Sequence, residues 1–130
     1  MDLQPIVRRI FDDVISKGDL ADVDQLIAED YTDPRGPKGR EGFAMGLEMV
    51  RSAFPDWTSR IQETVVDGDV VAARWVVTGT HQAEFMGIPA TGKRIEMQEC
   101  GFLQFRDGQL VEIRRVADEL GMLRQLGALP

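Results

Sequence analysis

The 130-residue chain is 43% hydrophobic and 28% charged, a balance that suits one folded domain over 1–130 and excludes a disordered chain. Its net charge of −7, with fifteen Lys and Arg scattered in short runs, excludes the basic stripe that nucleic acid requires. A single cysteine, Cys100, excludes an internal disulfide, and a chain of this size buries enough core to need neither a bridge nor a metal for stability.

The opening MDLQPIVRRIF has no continuous apolar segment of the signal-peptide kind, and no later apolar run approaches the ~18 residues of a membrane span, so a cytoplasmic setting is expected. From Pro5, apolar residues recur at Ile6, Val7, Ile10, Phe11, Val14 and Ile15, a helical stripe closed by Lys17-Gly18. Asp19 caps a second, short helix carrying Leu20, Val23, Leu26 and Ile27. The segment 30–39, with two prolines and two glycines, reads as loop. A third helix is predicted over 40–54, with Phe43, Leu47, Val50 and Phe54 on one face and Pro55-Asp56 at its end.

The second half reads as strands at 57–66, 70–80, 94–105 and 109–117, separated by Asp67-Gly68, by HQAEFMGIPATGK and by Asp107-Gly108. Asp118 then caps a final helix over 119–125, stopped at Gly127. The predicted fold is α+β: helices packed on one face of a strongly curved, four- to six-stranded antiparallel sheet, with a cavity at its concave side.

The last hairpin carries the candidate chemistry. On 94–105 the odd face (Ile95, Met97, Glu99, Gly101, Leu103, Phe105) is the more apolar, so Glu99 is its one inward charge. On 109–117 the inward set Val111, Ile113 and Ala117 is interrupted by Arg115. A two-residue Asp107-Gly108 loop would set odd residues against even ones. A three-residue loop, 106–108, pairs Leu103 with Val111, Gly101 with Ile113 and Glu99 with Arg115, and is the register expected. Burial raises a carboxyl pKa and a neighbouring guanidinium lowers it, so the pair favours an ionised Glu99. Glu99 then suits a general base, with Arg115 steadying an enolate or phenolate oxygen; a purely structural cross-strand ion pair is the alternative.

Other residues read as follows. Arg74, on a strand apolar on both faces, is either a cavity residue or a charge partner. His81, the only histidine, lies at a rim position, makes a loop hydrogen bond or supports catalysis. Trp57, Phe85, Met86, Met97 and Ile113 are candidate apolar walls for a flat ligand. No metal-ligand spacing and no phosphate loop occurs, so no cofactor is expected.

The stretches GDLADVDQLIAEDYTDP, GREGF, AFPDW, VVAARWVVTGTHQAEFMGIPATGKRIE and FRDGQLVEIRRVADELGMLRQLG resemble the SnoaL-like polyketide cyclase, or ester-cyclase-like, family over nearly the whole chain. The resemblance implies the cone fold shared with nuclear transport factor, ketosteroid isomerase and limonene epoxide hydrolase. It also implies a catalytic histidine in the penultimate strand and an aspartate in the last; those positions are Gly101 and Arg115 here.

The expected activity is therefore cofactor-independent acid–base chemistry on a hydrophobic, polyketide-like small molecule, with Glu99 as the proton-transfer group. A non-catalytic binding module, or hydroxylase or epoxide-hydrolase chemistry in the same cavity, are the alternatives. Cones of this family commonly pair through the convex side of the sheet, so a homodimer with Phe102 and Val116 facing outward is expected.

Overall fold

In the computed structural model, which describes residues 1–129, one five-stranded sheet carries a layer of helices on its concave face. Helix α1 (Gln4–Arg8), with Pro5 in its first turn, runs on into a π-helical stretch (Arg9–Ile15) that buries Ile10, Phe11 and Val14. After α2 (Val23–Leu26) come β1 (Ile27–Thr32), α3 (Gly39–Ala53), β2 (Thr58–Asp67), β3 (Val70–Thr80), β4 (Arg94–Arg106), β5 (Gln109–Ala117) and α4 (Glu119–Leu126). The strand order is β1-β5-β4-β3-β2, antiparallel except where β1 runs parallel to β5.

Strand β1 is the element that the hydrophobic spacing does not foretell. Leu20, Val23, Leu26 and Ile27 share a helical period, yet only one turn forms, and the backbone becomes extended at Ile27 (φ −114°, ψ 128°). A single turn of helix is weakly held on its own. At the sheet edge the segment instead buries Ile27, Ala28 and Tyr31, and Arg40 Nε donates to the Ile27 carbonyl at 2.8 Å. Burial and the tertiary hydrogen bond outweigh the local preference.

The hairpin between β4 and β5 corrects the expected register. The loop is Asp107-Gly108 alone, with φ of 52° and 77°, the two left-handed residues of a type I′ turn, and Arg106 faces Gln109. That turn would set inward residues against outward ones. A bulge restores the parity: Phe105 faces Leu110 and Gln104 faces Glu112, leaving Val111 as the extra residue. Beyond it Leu103 faces Ile113, Gly101 faces Arg115 and Glu99 faces Ala117.

The concave face of β3 and β4 is Val71, Ala73, Trp75 and Val77 beside Ile95, Met97, Glu99, Leu103 and Phe105, all buried. Phe11 from the π-helical stretch meets Trp75 edge-on, with ring centroids 5.0 Å apart, which fixes the helical layer over the sheet. Arg74 lies on the other, outward face. Its Nε pairs with Glu63 of β2 at 2.9 Å on the face away from the helices, so of its two expected roles it takes that of charge partner.

Candidate active site

Between the helices and the concave face of the sheet lies a cavity of about 380 Å³. Its walls are apolar: Phe11, Trp57, Trp75 and Met97 from the core, Phe43 from α3, and Ile113 from β5. Phe85 and Met86 reach it from the loop between β3 and β4, where Phe85 and Ile88 exchange two backbone hydrogen bonds across a tight turn. Met86 stands at the tip of that turn with φ 52°, a left-handed conformation costly for a residue bearing a Cβ. Thus Trp57, Phe85, Met86, Met97 and Ile113 all line one space.

One end of the cavity is charged. Glu99 projects from the middle of β4 and is nearly sealed, its side chain 4% exposed. Arg115, two residues along β5 from the position opposite Glu99, reaches diagonally and donates from Nη1 to Glu99 Oε1 at 3.1 Å. The same guanidinium approaches Asp33 Oδ2 through Nη2, at 3.6 Å. Arg35 and Glu119 form an ion pair between the β1–α3 loop and the first turn of α4, and both line the cavity.

The diagonal reach depends on Gly101, which faces Arg115 directly. A Cβ at position 101 would lie 2.9 Å from the Arg115 Cα and 3.0 Å from its Cβ. Gly101 and Arg115 are therefore one cross-strand pair.

The electrostatics refine the expectation for Glu99. Burial raises its pKa, and the charge and hydrogen bond of Arg115 offset that only in part, so the net shift is upward from 4.5. Desolvation therefore outweighs the arginine. Tyr31, which also lines the cavity, is pushed above the ordinary tyrosine value by burial and by the nearby Asp33, with Arg115 acting in the opposite sense.

Two other sequence candidates fall elsewhere. His81 is fully buried, stacked on Phe54 with centroids 5.3 Å apart, and is not part of the cavity lining. Its Nδ1 accepts the Thr91 N–H at 3.2 Å, so it ties the two ends of the β3–β4 loop; of its three expected roles it takes the loop hydrogen bond. Asp118 caps α4, its Oδ1 accepting the Gly121 N–H at 2.9 Å.

Sequence reasoning missed Tyr31, Asp33 and Arg35, because it assigned their segment to a loop. The single tyrosine of the chain, four residues after the β-branched Ile27, was the available signal. Among the described residues no three His, Cys, Asp or Glu side chains are grouped to hold a metal, and no helix is long and apolar enough to cross a membrane. A second depression, by Glu29, Asp30, Arg40, Arg106 and Gln109, is open to solvent, and Arg106 there is already paired with Asp30 at 2.7 Å.

The fold is an α+β cone whose apolar cavity ends in a buried carboxylate. The chain belongs to the SnoaL-like polyketide cyclase family, whose model matches residues 5–126, and it is accordingly an enzyme of the polyketide cyclase and tailoring type. Among its relatives, the nogalonic acid methyl ester cyclase of Streptomyces nogalater is 32% identical over 120 residues, covering 85% of this chain and 87% of that protein. Wild-type IdmH of Streptomyces antibioticus superposes with a TM-score of 0.85 at 34% identity, covering 98% of this chain and 99% of that one. TsrD of Streptomyces laurentii superposes with a TM-score of 0.91 at 27% identity and 99% coverage of both chains.

Proposed function

We propose that this protein closes a ring in a polyketide-like substrate by cofactor-independent acid–base catalysis, as a tailoring step in antibiotic biosynthesis, with Glu99 as the proton-transfer group and Arg115 as the anion stabiliser. The observation that carries the reading is the placement of one buried carboxylate, bonded to one arginine, at the end of an apolar cavity. Glu99 removes a proton from a carbon next to a carbonyl: the C–H bond breaks, a Glu99 O–H bond forms, and the electron pair moves onto the carbonyl oxygen beside Arg115. The enolate carbon then attacks a second carbonyl of the same molecule. The new C–C bond closes the ring, and the resulting alkoxide takes the proton back from Glu99. No electrons are gained or lost, so no redox partner enters.

The raised pKa of Glu99 supports this role, because a stronger base takes a carbon-bound proton more readily, while Arg115 keeps an ionised form available. On the expected alignment, which puts Gly101 and Arg115 where the family has histidine and aspartate, the nearly sealed Glu99 is the carboxylate left to act as base. Nogalonic and aklanonic acid methyl esters, the compounds in the relatives' names, are the first substrates to offer. With either, Glu99→Gln is expected to lower kcat by about 10²–10⁴, the usual value of a positioned base. Turnover unchanged in Glu99→Gln would sink the mechanism.

The same expected alignment favours one other reading, a non-catalytic module that binds an apolar small molecule. An ester recovered unaltered after prolonged incubation with saturating protein would select it. We also infer that the protein works in the cytoplasm and as a homodimer. The exposed Val65, Phe102 and Val116 on the convex face support the second point, and sedimentation of wild type against Phe102→Lys tests it.

A further inference from the structure

Tyr31 has a hydroxyl with no protein partner at the charged end of the cavity. It is the only tyrosine of the chain and lies on β1, the strand that hydrophobic spacing does not foretell. Its ring is fixed edge-on against Phe43, with centroids 5.4 Å apart and planes at 88°, and the residue is 3% exposed. Buried hydroxyls are nearly always hydrogen-bonded. None of the hydrogen bonds among the described residues involves this one.

Yet the hydroxyl is not sealed in protein either. Among the described residues the one fully enclosed side-chain polar atom without a partner is Nε2 of His81, so the Tyr31 oxygen retains contact with open space. Tyr31 lines the cavity, and that space is the cavity. Asp33 and Arg115 both act electrostatically on the phenol, so it lies in the same neighbourhood as the Glu99–Arg115 pair. Burial and Asp33 hold the phenol in its protonated form, which makes it a donor.

We propose that Tyr31 donates a hydrogen bond to the substrate oxygen on which negative charge develops, so that Tyr31 and Arg115 together form the anion-stabilising site facing Glu99. The proposal deepens the ring-closure reading and rests on it for the identity of that oxygen. It narrows the ligand class: a carbonyl or phenol oxygen at the edge of an otherwise apolar, flat molecule, able to accept two donors at once. A substrate lacking such an oxygen would leave the phenol and the guanidinium both unpaired, at a cost in affinity.

The test uses 1,8-dihydroxyanthraquinone, a flat polycyclic ketone and phenol, as the probe. Because Tyr31 is the single tyrosine, protein labelled with [13Cζ]tyrosine gives one resonance that reports directly on this hydroxyl. Saturating probe is expected to shift that resonance in the wild type. Tyr31→Phe is expected to weaken probe binding about tenfold, the usual value of one buried donor. Its Tm should stay within about 2 °C of the wild type, since the hydroxyl holds nothing in the protein.

A resonance that does not move at saturation, or a Tyr31→Phe protein that binds as tightly as the wild type, overturns the proposal. Failure of the ring-closure reading looks different. Tyr31-dependent probe binding together with undiminished ester turnover in Glu99→Gln would leave the Tyr31 contact standing and remove the base. A wild type that does not bind the probe overturns the Tyr31 proposal and leaves ring closure to the ester assay.

Discussion

The two faces of the sheet each carry a glutamate–arginine pair of similar length. On the convex side Arg74 Nε and Glu63 Oε1 are 2.9 Å apart; on the concave side Arg115 Nη1 and Glu99 Oε1 are 3.1 Å apart. Distance alone would rank the first as the stronger. Its side chains, however, are 47% and 68% exposed, against 28% and 4% for Arg115 and Glu99. Water screens the outer pair, whereas the inner carboxylate has lost most of its hydration and its pKa is raised. Burial, rather than contact distance, separates a surface ion pair from a poised base.

The largest effect should come from neutralising the inner pair. Glu99→Gln is expected to remove two to four orders of magnitude from ester turnover while raising thermal stability, because it relieves the burial of a charge and leaves a side chain that still accepts from Arg115. The sign with pH follows from the upward shift. Between the ordinary value of 4.5 and its raised value in the fold, the native state holds a proton that the unfolded chain has lost. The wild type therefore loses stability as pH rises through that window, by linkage, and Glu99→Gln does not. Denaturant melts of both proteins from pH 4 upward should diverge steadily and then run parallel. Curves parallel throughout would show that the Glu99 carboxyl is not shifted by folding.

Activity should carry the same signature. The acid limb of kcat/KM is expected above the ordinary carboxylate range, since only ionised Glu99 can act as base. Arg115→Gln should move that limb to higher pH, because the charge and hydrogen bond that oppose desolvation are lost. A limb that stays in place would mean that the two groups are not coupled.

Gly101→Ala tests the geometry that joins them. The added Cβ would meet the Arg115 Cα at 2.9 Å, so β4 and β5 must separate locally, at a cost of about 1–3 kcal/mol of the overpacking kind. Denaturant titration measures the loss, and a shifted Arg115 would lower turnover with it. Full stability and full turnover in this variant would show that the close approach of the strands is not needed.

These comparisons also show what was legible beforehand. The alternation on β4 identifies Glu99 as the inward charge, and the spacing of Asp118 before an apolar helix identifies a cap, because each depends on local periodicity. The position of Arg115 is legible only through the register; the expected three-residue loop puts it on the right face but opposite Glu99, where the structure has Ala117, and the two meet only diagonally. The type I′ turn reverses the parity and the bulge at Val111 reverses it again, two events that cancel in parity, shift the pairing by two residues and leave no trace in hydrophobicity. Tyr31, and Asp33 just past the end of its strand, were hidden because a parallel edge strand of six residues has neither a hairpin turn nor a clean alternation to announce it. The direction of the Glu99 shift was equally hidden, since it depends on how completely the carboxylate is buried.

The outer pair supplies the smallest effect and the control for all the others. Arg74 could be assigned to either face because Ala72 and Val76 flank it on one side and Ala73, Trp75 and Val77 on the other; the bulky Trp75 against Phe11 decides the matter, turning Arg74 outward. There it meets Glu63 across β2, past a register shift that no pattern in the strand foretells. Arg74→Ala should change stability by no more than about 0.2–1 kcal/mol, less in high salt, and should leave ester turnover and its pH profile where they were. The same measurement on Arg115→Ala should show loss of turnover that added salt does not abolish, since the inner pair is shielded from ions as well as from water. If the two substitutions behave alike, the distinction between the faces fails, and with it the argument that burial makes Glu99 a base.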